Sequence, residues 1–272
     1  MVKPSVVSIA KKEVQSLYKF QYSICTLATN LDEYGRMLDS FIAAGFTTDD
    51  CEYRYVDNTN GNTFDAYQGI NQFLQNADAK YIIICHQDIL LRFDKRIDLE
   101  QRIVELDTID KNWAILGNAG TNNPYLLSMK MTHADLVCHK VGVLPSKVNS
   151  LDENFVLVKK SANIALSGNL SGFHLYGTDI CLVAACLGYS AYAVEFSLLH
   201  LSMGKLDESF YSLSKKIQAK YSFFFRNRYM KTTITRFYLS SNGILRFVMD
   251  ISLVQNIVRL YYKYKYKWFK KY

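Results

Sequence analysis

Apolar and polar residues alternate along the first ninety positions in blocks that change period. FQYSICTLA (20–28) is a continuous, β-rich apolar run, the pattern of a strand covered on both faces. In LDEYGRMLDSFIAAG (31–45), Leu31, Tyr34, Leu38, Phe41 and Ile42 recur at helical spacing, and Gly45 stands where that helix would end. EYRYVD (52–57) alternates as a strand does, and NTNGN reads as a turn. FDAYQGINQFLQNADA (64–79) is again helical, with Phe64, Tyr67, Ile70, Phe73 and Leu74 on one face. KYIIICHQDIL (80–90) is an apolar strand that breaks into polar residues. Strand, helix, strand, helix, strand predicts βαβ units, and with them an α/β fold with a mostly parallel central sheet and helices on both faces. Ligands of such sheets bind beyond the carboxyl ends of the strands. Asp57 and the trio His86-Gln87-Asp88 therefore lie on the expected ligand edge.

Residues 110–175 are rich in Gly and Asn, with short strands predicted at 113–118, 136–144 and 154–160. GTDICLVAACLGY follows as a helix opened by Thr178 or Asp179 and closed by Gly188, and AYAVEF as a strand. From about 206 the chain reads as wholly helical, basic and aromatic. There are no internal repeats.

Composition adds limits. A chain of 272 residues, 49% of them hydrophobic, can bury one sizeable core. Its six cysteines show no CxxC spacing and read as reduced residues of a cytosolic protein. The first fifteen residues lack the apolar core of a secretory signal, and the longest apolar stretch (181–201) is interrupted by Gly188, Glu195 and His200. The expectation is a cytoplasmic protein, neither exported nor membrane-spanning.

Charge divides the chain. Residues 1–208 hold 18 Lys and Arg against 24 Asp and Glu, a net −6, whereas 209–272 hold 14 against one, a net +13. Residues 256–272 alone combine six basic and seven aromatic residues. Such a tail suits an anionic membrane surface, with rings at the headgroups and lysines on lipid phosphate. Packing against the catalytic domain and stacking on single-stranded nucleic acid are the competing readings. We expect a peripheral position at the inner face of a membrane, and no nucleic acid.

His86-Gln87-Asp88 is the sharpest chemical feature. After four apolar residues, two potential ligands stand at i and i+2, a spacing that turns both to the same side of a strand end. Mg2+ and Mn2+ bind through one or two carboxylates together with substrate phosphates. The plainer reading is a strand-end turn with Asp88 as its cap.

The succession of a strand, a helix, Val56-Asp57-Asn58, a second helix and an apolar strand ending in His86-Gln87-Asp88 resembles the family 2-like GT-A glycosyltransferases, over roughly residues 20–205. In that family a DxD motif at this strand end grips the divalent ion on the nucleotide diphosphate. HxD is a departure, similar to a subgroup with HQD. The resemblance implies Mn2+ or Mg2+ held by Asp88, with His86 as ligand or diphosphate neighbour and His200 as a further metal or diphosphate contact. It implies a nucleotide-diphosphate sugar lined by Thr26, Ala28 and Asn30, with Asp57 on the nucleobase. It places Asp152, in Leu151-Asp152-Glu153, near the sugar and acceptor. It makes Asp179, at the start of a helix, the general base of an inverting transfer. The acceptor would be a glycan or lipid-linked glycan, as in cell-surface polysaccharide biosynthesis. Each residue also has a structural alternative: an Asx turn for Asp57, a solvated turn for Asp152, a helix cap for Asp179, a structural imidazole for His200. His133 and His139 match no motif.

No GxSxG, Walker A loop, HExxH, GxGxxG or EF-hand loop is present. A nucleotidyltransferase on the same scaffold remains open, although residues 24–36 lack its Gly-rich basic loop; so does a non-catalytic binding module. The expected organisation is a GT-A domain over 1–205 and a helical, membrane-associating region over 206–272.

Overall fold

A computed structural model describes residues 18–123, 126–202, 207–231 and 235–269. The first fifteen residues, expected to hold no secretory signal, the expected boundary at 205/206 and the last three residues of the basic tail lie outside the described residues. The chain divides into two units, residues 1–214 and 215–272.

The first unit opens as its sequence pattern predicts. Strand β1 (Phe20–Ala28), helix α1 (Leu31–Ala43), β2 (Cys51–Asp57), α2 (Ala66–Asn76) and β3 (Ala79–Cys85) follow in order, and β1 pairs in parallel with both β2 and β3. Asn30 caps α1 by accepting from the Asp32 and Glu33 N–H groups. Gly45 sits two residues past the helix at φ +100°, a backbone state that favours glycine. Beyond β3 come β4 (Ile89–Leu90), α3 (Arg96–Ile109), β5 (Trp113–Gly117), β6 (Ala119–Asn123), β7 (Leu126–His133), β8 (Cys138–Val141), β9 (Ser146–Val148), β10 (Ser150–Leu151) and β11 (Phe155–Lys159). Then follow α4 (Tyr176–Cys186), β12 (Ser190–Ala193) and β13 (Leu199–His200).

The central sheet runs β2-β1-β3-β11-β5-β12-β9. It is α/β as expected, but mixed: β11 lies antiparallel to both β3 and β5, and β9 antiparallel to β12. An apolar strand reads alike in either direction, so its sequence pattern did not reveal this. A second, unforeseen sheet runs β10-β6-β7-β13-β4, with β8 on β7. Helix α3 was also unforeseen. Its inward stripe of Leu99, Ile103 and Leu106 is blurred by Ile97, Val104 and Ile109, which are exposed. Helix α4 starts earlier than Thr178 or Asp179, with Leu175 at its cap in the left-handed region (φ 59°).

Alternate residues of β1 divide the layers. Tyr22 and Ile24 join Met37 and Phe41 of α1 and the inward stripe of α3 in one core. Leu27 faces α2, where a Cβ on Gly69 would fall 2.5 Å from its Cδ2. Three further glycines hold the 150–155 segment close. Cβ atoms at Gly117, Gly120 and Gly177 would meet the carbonyl oxygens of Phe155, Ser150 and Leu151 at 2.9, 2.7 and 2.3 Å.

The second unit contains the end of α5 (Glu208–Phe224), a hairpin of β14 (Arg228–Lys231) and β15 (Arg236–Leu239), α6 (Gly243–Asp250) and α7 (Ser252–Phe269). The expectation of a wholly helical tail is thus corrected by the hairpin.

Gly177→Ala is expected to lower stability by about 1–3 kcal/mol, because a backbone oxygen cannot step aside as a side chain can. Urea unfolding of the two proteins measures it.

Candidate active site

β3 delivers His86, Gln87 and Asp88 at its carboxyl end, and the three side chains part company. Gln87 turns toward the β1–α1 loop. Its Oε1 accepts from the Thr29 and Asn30 N–H groups at 2.7 and 3.0 Å, and its Nε2 donates to the Thr29 hydroxyl and to Glu33. His86 and Asp88 face the other way, Nδ1 to Oδ1 3.9 Å. The small second sheet brings up the third member: His200 pairs with Ile89 across β13 and β4, and its Nε2 lies 3.5 Å from Asp88 Oδ1. One ligand atom from each of His86, Asp88 and His200 lies within 4.8 Å of the others. Side chains separated by more than a hundred positions are therefore gathered at one point.

The electrostatics suit this grouping. Burial opposes ionisation of Asp88, but hydrogen bonds from His200 and Ser202, with the nearby imidazoles, hold its carboxyl well below the usual range. Burial pushes His86 below its ordinary value, and Asp88 pulls the other way. Its Nε2 lies 3.0 Å from the Tyr176 hydroxyl, which donates to the Glu153 carbonyl at 3.0 Å.

These groups border a cavity of about 590 Å3. It is lined by Met129, Met131 and His133 of the second sheet, by Asp152 and Glu153, and by Phe173, His174 and Phe210. His133 lies near both His200 and His139, with ring centroids 6.4 and 5.3 Å away and the rings tilted. Glu153 Oε1 accepts the Gly177 N–H at 3.3 Å. Burial, helped by the charge of Asp152 and opposed by the Gly177 N–H, pushes the Glu153 carboxyl up to about 8. No lysine or arginine is among the described residues that line the cavity.

Of the other expected residues, Asp152 lines the cavity and the rest do not. Thr26 and Ala28 are enclosed within β1, with the Thr26 hydroxyl 3.5 Å from the Cys85 sulfur. Asn30 caps α1, and Asp57, paired with Ala28 at the carboxyl edge, accepts from the Thr59 N–H and hydroxyl in an Asx turn. Asp152 lines the cavity and accepts from the Asn154 N–H. Asp179 has no exposed surface and does not line the cavity; the Ser167 N–H and hydroxyl bind its two oxygens at 2.8 and 2.6 Å. The expected base is thus enclosed, while Glu153, Tyr176, His133 and His174 were missed. Glu153 had a signal in the sequence, since it adjoins Asp152 in the same acidic loop.

No protein-family model matches the chain. Among solved structures, S. aureus TarS 1–349 in complex with UDP-GlcNAc aligns with a TM-score of 0.50 and 11% identity, over 75% of this chain and 67% of that one. The chain spans 40% of the length of the longer TarS structure. The mannosyltransferase PcManGT from Pyrobaculum calidifontis, in complex with GDP-Man and Mn2+, aligns with a TM-score of 0.45 and 13% identity over 68% of this chain and 57% of that one. The TarS likeness shows the fold, which is α/β of the GT-A type. A Fuscovulum blasticum protein called "ATP synthase subunits region ORF 6" is 33% identical over 233 residues, 84% of this chain and 92% of its own length. Sharing a third of its residues across nearly the whole of both, this chain belongs to the same family as that F. blasticum protein.

Proposed function

We propose that the protein is a metal-dependent glycosyltransferase of the subgroup with HQD in place of DxD. It moves a sugar from a nucleotide-diphosphate donor to a hydroxyl of a glycan or lipid-linked glycan. The observation that carries this reading is the meeting of His86, Asp88 and His200 beside the cavity of about 590 Å3, at the ligand edge of a GT-A fold.

The residues present fit a divalent ion. The Tyr176 hydroxyl has one proton, and the Glu153 carbonyl can only accept it. The bond between Tyr176 and His86 must then be donated by Nε2–H, which leaves the lone pair of His86 on Nδ1, the atom nearer Asp88. An ionised carboxylate and two imidazoles favour Mn2+ or another transition metal over Mg2+, which prefers oxygen alone. With no lysine or arginine on the described lining, such an ion supplies the charge that a departing diphosphate needs.

The chain's own residues do the rest. Asp57 and Asn30, at the carboxyl edge of β1 and β2, are assigned to the nucleoside end. Asp152 is assigned to the sugar. Glu153 replaces Asp179 as the base: its carboxylate takes the proton of the acceptor hydroxyl as that oxygen bonds to the anomeric carbon and the bond to the diphosphate breaks. A direct displacement of this kind inverts the anomeric centre.

Thermal unfolding against nucleoside diphosphates, with and without Mn2+, tests the reading. A stabilising shift for one nucleotide that requires Mn2+ and is lost in Asp88→Asn is expected. No shift for any diphosphate would leave a non-catalytic module as the better reading. Once a donor is known, Glu153→Gln is expected to slow transfer by about a hundred- to ten-thousand-fold. A base must be ionised, so kcat/KM should rise with pH through about 8, and that limb should vanish in the variant. Asp179→Asn should instead cost about 1.5–3 kcal/mol of stability with little change in kcat. Tyr176→Phe should weaken Mn2+ binding about ten- to a hundredfold, as titration calorimetry would measure.

A further inference from the structure

The helices of the second unit carry apolar residues on two faces each. In α6, Leu245 and Met249 are half-buried, and the Met249 carbonyl accepts the Tyr229 hydroxyl at 2.6 Å. Ile244, Phe247, Val248 and Ile251, spaced i, i+3, i+4, i+7, form a second stripe that is exposed, Ile244 to 78% and Phe247 to 73%. α7 repeats the arrangement. Val254 and Val258 are half-buried, while Leu253, Ile257, Leu260, Tyr261 and Tyr264 form an exposed stripe, Leu253 to 69% and Tyr264 to 68%. Helical geometry puts Lys263 and Lys265 on opposite flanks of that stripe. Three consecutive rings at the end of α5, Phe223 to Phe225, are also exposed.

A helix of a globular protein ordinarily turns its single apolar stripe to the core. An outward stripe flanked by lysines is the pattern of a helix lying in a membrane interface. Residues 215–272 carry 14 Lys and Arg against one acid, Asp250, a net +13. We propose that this unit docks on an anionic lipid bilayer, the outer stripes of α6 and α7 entering the boundary between headgroups and acyl chains. Its lysines and arginines meet the lipid phosphates. No helix among the described residues is long and apolar enough to cross a membrane, so this contact is one of lying on the surface. A second copy on the same face would set +13 against +13. Single-stranded nucleic acid would leave Ile244, Leu253 and Ile257 unmatched, because aliphatic side chains offer a base no ring to stack on.

The test is sedimentation of the full chain with phosphatidylcholine vesicles, alone or containing about one third phosphatidylglycerol. Binding is expected to be at least about tenfold tighter to the anionic vesicles, and weaker at high salt. Phe247→Ser with Ile257→Ser should reduce it about tenfold or more at low salt with an unchanged circular dichroism spectrum. Lys263→Gln with Lys265→Gln should reduce the preference for anionic lipid, and it serves as the deciding variant if the apolar pair does not fold. Neither pair lies on the cavity, so donor-dependent thermal shifts should survive in both, and docking stands or falls apart from the transfer reading. Three results would overturn the proposal: equal or no binding to the two kinds of vesicle; an apolar variant that turns a dimer into a monomer yet still binds vesicles; and tight binding to a single-stranded oligonucleotide without binding to vesicles.

Discussion

Asp88 is an ionised carboxylate with a side chain only 17% exposed, and the arrangement of the site follows from keeping it there. Burying such a charge without donors is costly. Its main-chain oxygen accepts the Leu201 N–H at 2.9 Å, and its side chain lies against His200 and Ser202. Strands β4 and β13 are only two residues long, yet they fix this meeting, because Ile89 and His200 are register partners. β13 also pairs in parallel with β7, which brings His133 beside His200. The second sheet is thus tied to the end of β3 through the partners of one carboxylate, and the cavity is the space left over that sheet.

The first half of the molecule was legible in the sequence because its signals are local. Helical spacing in α1 and α2, the apolar runs of β1 and β3, and Gly45 at positive φ each depend on a few neighbouring residues. The polar break after β3 was legible for the same reason, and so was the shared side of His86 and Asp88. What was not legible depends on pairing over long separations. β11 inserts antiparallel between β3 and β5, and this places Asp152 and Glu153 beside the end of β3. Asp152 drew notice through its match to a motif, yet the neighbour with the raised pKa is Glu153. Asp179 shows the opposite error. Its place at the start of a helix suited a base equally well, but Ser167, from a loop with no pattern of its own, encloses it.

Positive charge is distributed in a way that bears on the chemistry. The chain has 32 lysines and arginines and five histidines. Four of the histidines, His86, His133, His174 and His200, line the cavity, and the fifth, His139, lies beside His133. A neutral imidazole can ligate a metal or donate a hydrogen bond. A lysine or arginine in the same place would carry a fixed charge.

That difference decides what Glu153 can do. Its carboxyl is pushed up to about 8 by burial first, with the charge of Asp152 adding to it. A lysine or arginine within reach would favour the ionised form and draw the value back down, as it does for Asp50 beside Arg96. A carboxylate with so low a pKa is a weak base, poorly matched to a hydroxyl proton. With no lysine or arginine among the described residues of the lining, none of these draws the Glu153 value down, and in the proposed reading an ion held by His86, Asp88 and His200 would meet the anionic leaving group. Fourteen of the 32 lysines and arginines lie instead in residues 215–272, whose one acidic residue is Asp250. Fixed cations are thus absent from the described lining and dense beyond residue 208, and the net −6 of residues 1–208 against the net +13 of 209–272 records that division.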